Sequence, residues 1–130
     1  MVYAGIEVAK HHHEAVLLDD AGVQQGSSLR FDNSREGFTQ FLQHLDALPE
    51  EIQVALEATG HYWLALYDAL TEHGLEVIVL NPLQVEAYRK SFLRKAKTDR
   101  KDAWMIADLL RIGRAIPFPC LPRTSGTFEN

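Results

Sequence analysis

The stretch V-Y-A-G-I-E-V, residues 2–8, is apolar almost throughout, rich in β-branched side chains, and barely alternates with polar residues. A run of this kind suits a strand covered on both faces, as in the middle of a sheet with parallel neighbours. One acid, Glu7, stands inside it, where a solvated charge is not expected. A strand buried on both sides needs a layer above and a layer below, so the flanking sequence has to supply helices as well as strands.

It does. Residues 13–18 (HEAVLL) read as a second strand, Asp19, Asp20 and Gly22 as a turn, and a more polar third strand follows to about Phe31, which makes an antiparallel meander. Asn33 or Ser34 can cap a helix over about 34–47, with Phe38, Phe41, Leu42 and Leu45 on one face and Pro49 ending it. Residues 52–56 (IQVAL) form a fourth strand closed by Thr59 and Gly60. A helix follows from about His61 to His73, with Gly74 as its stop. Residues 75–80 (LEVIVL) form a fifth strand, stopped by Asn81-Pro82. Beyond it, 83–93 read as helix, 94–98 as a basic loop and 99–113 as helix. Pro117, Pro119 and Pro122 then break regular structure, so residues 115–130 are expected to be an irregular tail after a domain of residues 1–114.

The order β-β-β-α-β-α-β-α-α, with right-handed crossovers, places the fourth and fifth strands parallel to the first in one sheet. The expected fold is therefore α/β: a five-stranded mixed sheet, an antiparallel meander plus two parallel strands, flanked by helices. This is the element order of the ribonuclease H-like fold.

Bulk properties narrow the function classes. At 130 residues the chain fits one domain with a real core. The lone Cys120 excludes an internal disulfide and suits a reducing cytoplasm. No apolar run approaches the roughly 18 residues of a membrane span. The formal net charge of −5 argues against a general affinity for nucleic acid, but its distribution does not. Seven of the thirteen basic residues crowd into 89–101 (Arg89, Lys90, Arg94, Lys95, Lys97, Arg100 and Lys101), interrupted by one acid, Asp99. A local basic field attracts phosphates on a chain that is acidic overall, although a charge run alone equally describes a solvated helix face.

Four acids fall where a site would form. Glu7 lies near the end of the first strand and Glu57 ends the fourth, its expected neighbour. Sites in open α/β sheets form beyond the carboxyl ends of parallel strands. Asp99 and Asp102, three apart at a helix start, point to one side. Carboxylates crowded in a half-buried cleft repel one another and lose hydration, and a hard divalent cation relieves both penalties. Each acid alone has a plain structural alternative. Glu7 can pair with Lys10, Glu57 can be a loop acid, and Asp99 and Asp102 can favour a helix N-terminus through its dipole.

GIEVAK near the start, LEATGHYW in the middle, LNPLQVEAYR after the fifth strand and KTDRKDAWMIADLL together resemble the N-terminal domain of DEDD transposases, which include the Piv/MooV-type DNA inversion recombinases. The resemblance covers about residues 3–114. It implies a RuvC-like domain whose acids bind Mg²⁺, with Mn²⁺ as substitute, for DNA strand cleavage and transfer. Carried over by residue, the acids fall on Glu7, Glu57, Asp99 and Asp102, as catalytic and metal-binding positions. Glu7 departs from the family pattern, which has Asp there. The extra methylene moves the carboxylate on the order of 1 Å, against a tolerance of about 0.5 Å. Family members continue into a C-terminal domain with a serine proposed as nucleophile. Nothing in 115–130 corresponds to it, so an isolated domain or truncated copy is expected, incapable of complete transposition alone. Arg89, Arg94, Lys95, Lys97, Arg100 and Lys101 flank the acids and are candidate phosphate contacts. DNA is the expected partner. Some relatives use a structured guide RNA, and pairing of DNA ends points to a homo-oligomer.

Two other function classes compete. One is an inert nucleic-acid-binding or oligomerisation module. The other is an actin-like nucleotide phosphotransferase, whose fold opens on a similar strand but needs a Gly-rich phosphate loop that this sequence lacks. His11, His12 and His13 look like a metal tract, but adjacent strand residues face opposite sides. Tyr62 and Trp63 offer base-stacking surfaces, yet their spacing with Leu66, Tyr67 and Leu70 fits a core face. His61 can reach the acids or simply open a helix. Thr59-Gly60 shapes the turn after Glu57 and could leave N–H groups near phosphate.

Overall fold

The computed structural model describes residues 1–96 and 102–117. The apolar opening stretch becomes β1 (Val2–Glu7), the middle strand of a five-stranded sheet. On one side it pairs antiparallel with β2 (His12–Leu18), which pairs with β3 (Leu29–Asp32). On the other it pairs in parallel with β4 (Ile52–Glu57), which carries β5 (Glu76–Leu80), also parallel. The mixed sheet expected from the sequence is the one formed. Among the described residues the helices are α1 (Arg35–Asp46), α2 (Leu64–Glu72), α3 (Pro82–Ala96) and α4 (Asp102–Arg111). None is long and apolar enough to cross a membrane.

Strand alternation divides the core between two layers. Ala4, Ile6, Leu17, Val54 and Leu56 turn toward α1 and α2 and pack with Phe38, Phe41, Leu45, Leu66 and Leu70. The opposite face carries Ala55 and Leu80 against Val85, Ile106 and Leu109, and Val16 and Leu18 against Ala103 and Ala107. Each large apolar side chain buried this way contributes roughly 1.5–3 kcal/mol. On that second face β1 offers Gly5. A Cβ there would stand 2.3 Å from both the Ala103 carbonyl oxygen and the Ala107 nitrogen. Helix α4 therefore crosses β1 nearer than any side chain would permit.

Local chemistry explains where the elements start. Ser34, not Asn33, caps α1, its hydroxyl accepting from the Gly37 amide at 3.1 Å. The helix expected from His61 begins at Leu64 instead. Gly60 adopts a left-handed φ of 58°, and the buried Trp63 donates its indole N–H to the Gly60 carbonyl, so the chain turns for three more residues. The apolar period of Tyr62, Trp63 and Leu66 simply continues through that turn. Asn81 accepts from the Leu83 amide at 2.8 Å and Pro82 fills the first helical position, so the dipeptide that stops β5 also starts α3. Helix α3 runs to Ala96 rather than ending at 93, since arginine, lysine and alanine are good helix formers. The rest of the expected basic loop, and the start of the last expected helix, lie outside the described residues. So does the tail beyond 117. Its described beginning docks on the sheet edge through a Leu80–Pro117 bridge, while Gln84 holds the Arg114 carbonyl and the Ile116 amide.

Candidate metal centre

The pairing of Ile6 with Leu56 sets the next residues, Glu7 and Glu57, side by side at the carboxyl ends of two parallel strands. Neighbouring strands run about 4.8 Å apart. By alternation both acids share the face of Gly5 and Ala55, the face that α4 covers, and Asp102 is the first residue of α4. The electrostatics agree. Burial pushes the Glu57 carboxyl up from its ordinary value, a hydrogen bond from the Thr59 side chain opposes this, the Asp102 charge pushes it up, Arg89 opposes, and Glu7 pushes it up again. Three acids from β1, β4 and the N-terminus of α4 thus converge on one half-buried place.

A cation already stands among them. Arg89, on α3, grips Asp102 with both prongs: Nε to Oδ1 at 3.0 Å and Nη2 to Oδ2 at 3.0 Å. Its remaining Nη1 contacts Glu86, one helical turn back. Hydrogen bonding to Asp102 dominates the interactions that hold the guanidinium in its charged form. Lys90 reaches the same Glu86 at 3.8 Å. Arg89, expected from the sequence as a phosphate contact, lies inside the acidic cluster, paired with Asp102.

Among the described residues, no group of three or more His, Cys, Asp or Glu side chains is drawn close enough to hold a metal ion. The donor chemistry nevertheless fits one. All the donors are carboxylate oxygens, the hard ligands that Mg²⁺ and Mn²⁺ prefer. The Glu57 carboxyl is raised first by burial and then by the charges of Asp102 and Glu7, and a cation held there would relieve both penalties. Asp99, the fourth acid, lies outside the described residues, as do Lys97, Arg100 and Lys101. Arg94 and Lys95 fall in the last turns of α3.

Several residues here were not singled out by the sequence reading. Glu14 is the cross-strand partner of Glu7 and shares its face, two residues before Val16 in the same alternation. That period of two was the signal that could have found it. Asp108 is buried in α4, where it accepts the Tyr88 hydroxyl at 2.5 Å and pairs with Arg111 at 2.8 Å, bracing α3 against α4. Burial and Asp108 push the Tyr88 phenol up to about 12. His13 is fully buried between Phe31 and Phe38. The Ala9 amide donates to its Nδ1 at 3.2 Å, so Nε2 carries the proton and donates to Asn33 at 3.0 Å. Asn33 also donates to the Lys10 carbonyl, and together these bonds fix the loop that follows Glu7. His12 faces the other way, toward Arg30, so the histidine tract splits between faces. The Thr59 amide is engaged by the Glu57 carbonyl and the Ala58 amide by Leu80, which removes two of the N–H groups the turn could have offered to phosphate.

The profile of a protein family described as Transposase, of the DEDD type represented by IS110, matches residues 4–124. The pilin gene-inverting protein of Moraxella lacunata is 32% identical over 108 residues, covering 81% of this chain and 33% of that protein. A protein of insertion element IS116 from Streptomyces clavuligerus is 29% identical over 113 residues, covering 87% of this chain and 28% of its own length. The chain therefore spans about a third or less of the curated relatives it matches. Among solved structures, RuvC of Thermus thermophilus in complex with a Holliday junction substrate superposes with a TM-score of 0.60 at 19% identity, covering 91% of this chain and 99% of RuvC. The fold is RuvC-like, of the ribonuclease H class.

Proposed function

Since the chain belongs to the DEDD transposase family represented by IS110, we propose that it is the carboxylate-bearing domain of a cytoplasmic DNA transposase or site-specific recombinase that cleaves and transfers DNA strands with Mg²⁺ or Mn²⁺. The observation that carries this reading is the convergence of Glu7, Glu57 and Asp102 on one face at the carboxyl edge of the parallel strands, with Glu57 responding to the other two charges. Asp99 joins them in the proposal as the fourth acid. A bound divalent ion would supply charge relief and polarisation of phosphate oxygens.

The chain's own residues then have definite tasks. Thr59 orients the Glu57 carboxylate. The close crossing at Gly5 sets the depth of α4 and so the place of Asp102. The His13–Asn33 pair fixes the loop after Glu7. Arg94, Lys95, Lys97, Arg100 and Lys101 would meet the DNA backbone, and their contacts with phosphate would position the strand without reading its sequence. A second copy of the chain would present the other DNA end, and a structured guide RNA remains a candidate partner of the whole protein.

Two observations favour a second reading, a binding module without cleavage. Asp102 is held by Arg89, and the first acidic position is a glutamate. Calorimetry with Mn²⁺ on the parent chain, Glu7→Asp and Asp102→Asn separates the two. Saturable binding that Asp102→Asn abolishes and Glu7→Asp strengthens supports the metal centre. Oligonucleotide binding that persists in Asp102→Asn, with no Mn²⁺ bound by any of the three, puts the binding module ahead.

A further inference from the structure

Helices α1 and α2 cover one face of the sheet side by side and run in the same direction. Each starts at the carboxyl edge of the parallel strands, after Asp32 and Glu57, and ends before the next strand begins. The Asp46–His73 pair, 2.9 Å apart, joins their far ends. Between them runs an open groove of about 700 Å³ whose middle is apolar, formed by Phe38, Leu42, Ala65 and Ala69. Beside it Leu64 is 47% exposed. The charges are divided along its length. Arg35, the first residue of α1, lines the carboxyl-edge end, and Glu72, the last residue of α2, lines the opposite end, with half-buried Asp68 between them. Arg35 and Glu72 are both exposed. An apolar middle with a charged rim is the anatomy of a protein interface. A partner of one charge sign would be matched at one end and repelled at the other. A second copy turned end for end is matched at both, because a two-fold axis lying across the groove sets Arg35 of each copy over the Glu72 end of the other.

We infer that this groove is the surface through which two copies of the chain pair. It gives a place to the second copy that the proposed function calls for, and rests on that reading for its purpose but not for its geometry. The interface is small. Helices of 12 and 9 residues are about 18 and 14 Å long, and side by side they cover roughly 350 Å² per copy, under half of the roughly 800 Å² per partner of a standard stable complex. By itself the chain therefore pairs weakly, with a Kd on the order of 100 µM, and two copies held on one DNA reach that concentration locally.

The test is sedimentation equilibrium over a concentration range that brackets this Kd, without metal or DNA. The parent should dimerise. Arg35→Glu and Glu72→Lys, each alone, set like charges against each other at both ends of the groove and should weaken pairing about tenfold. An equimolar mixture of the two variants restores an opposite-charge pair at each end of the mixed dimer and should pair as tightly as the parent. Only a contact between copies can be restored by mixing. Lys90→Glu makes the same change in net charge as Arg35→Glu on a side chain 70% exposed on α3, and should dimerise like the parent. Both groove charges are exposed, so neither variant should lose its fold, which thermal unfolding checks. A parent still monomeric at about ten times the expected Kd overturns the pairing and leaves the groove to another occupant. A mixture that pairs no better than the single variants, or a Lys90→Glu chain as weak as Arg35→Glu, overturns it too. None of these outcomes bears on the acids, whose metal binding the Mn²⁺ calorimetry above tests separately.

Discussion

Replacing Gly5 with alanine tests the packing on which the candidate site depends. A Cβ at this position would meet the Ala103 oxygen and Ala107 nitrogen at 2.3 Å and the Ala107 Cα at 2.8 Å. All three are backbone atoms, so no side chain can swing aside, and an ordinary contact requires α4 to lift from β1 by roughly 1 Å. Forcing one methyl into a packed core typically costs about 1–3 kcal/mol, and the upper end applies where backbone must move. For a domain of this size that lowers Tm by roughly 10 °C. Lifting α4 also carries Asp102 away from Glu7 and Glu57 by more than the roughly 0.5 Å a functional constellation tolerates. Gly26→Ala is the control. Nothing lies within 4 Å of its Cβ, but its φ of 72° should still cost about 1 kcal/mol through backbone strain. Thermal unfolding with Mn²⁺ titration reads both quantities. Gly5→Ala should lose stability and metal affinity together, and Gly26→Ala only a little stability. A Gly5→Ala chain as stable as the parent would refute the close crossing of α4 over β1.

Two further outcomes follow from the charges. Glu57 has a carboxyl raised above the ordinary 4.5, so its ionised form costs the fold stability at neutral pH. That cost is whole above its folded value and vanishes below 4.5. Glu57→Gln should therefore be more stable than the parent at pH 7, by about 0.5 kcal/mol, with the advantage fading on acidification, while Mn²⁺ affinity falls. Burial lowers the titration of His13 from 6.5, so its neutral ring contributes stability that is whole above pH 6.5 and is lost as pH falls below it. Urea unfolding of His13→Gln should show a loss of about 1 kcal/mol at pH 7.5 that shrinks by pH 5, where the parent weakens too.

How much of this was legible in the sequence depends on the range of the interaction. The strand order followed from local patterns such as residues 2–8 and LEVIVL, and crossover handedness left few topologies. The placement of Glu7 beside Glu57 then came from topology alone. Interactions between distant side chains left no such trace. Nothing in R-K-S-F-L-R-K distinguishes Arg89, folded back on Asp102, from a basic residue facing solvent. Asp108 reads as a helix-surface acid until Tyr88 and Arg111 are seen to cover it. The start of α2 is not legible in the sequence because the buried Trp63 keeps the helical apolar period through a turn whose geometry Gly60 sets. Glu14 is legible in its alternation with Val16 and Leu18, which places it on the face of Glu7.

The contact between Gly5 and α4 joins the first described strand to the last described helix. During synthesis the Gly5 and Ala55 side of the sheet must wait for Ala103 and Ala107 before that layer can close, while the face toward α1 and α2, which includes Val79 of β5, can close once Leu80 has emerged. Loop closure over such a separation is slow and raises contact order. The acids of β1 and β4 are therefore present on a growing chain long before Asp102 can join them. A nascent polypeptide still tethered to its ribosome carries only two of the three converging acids.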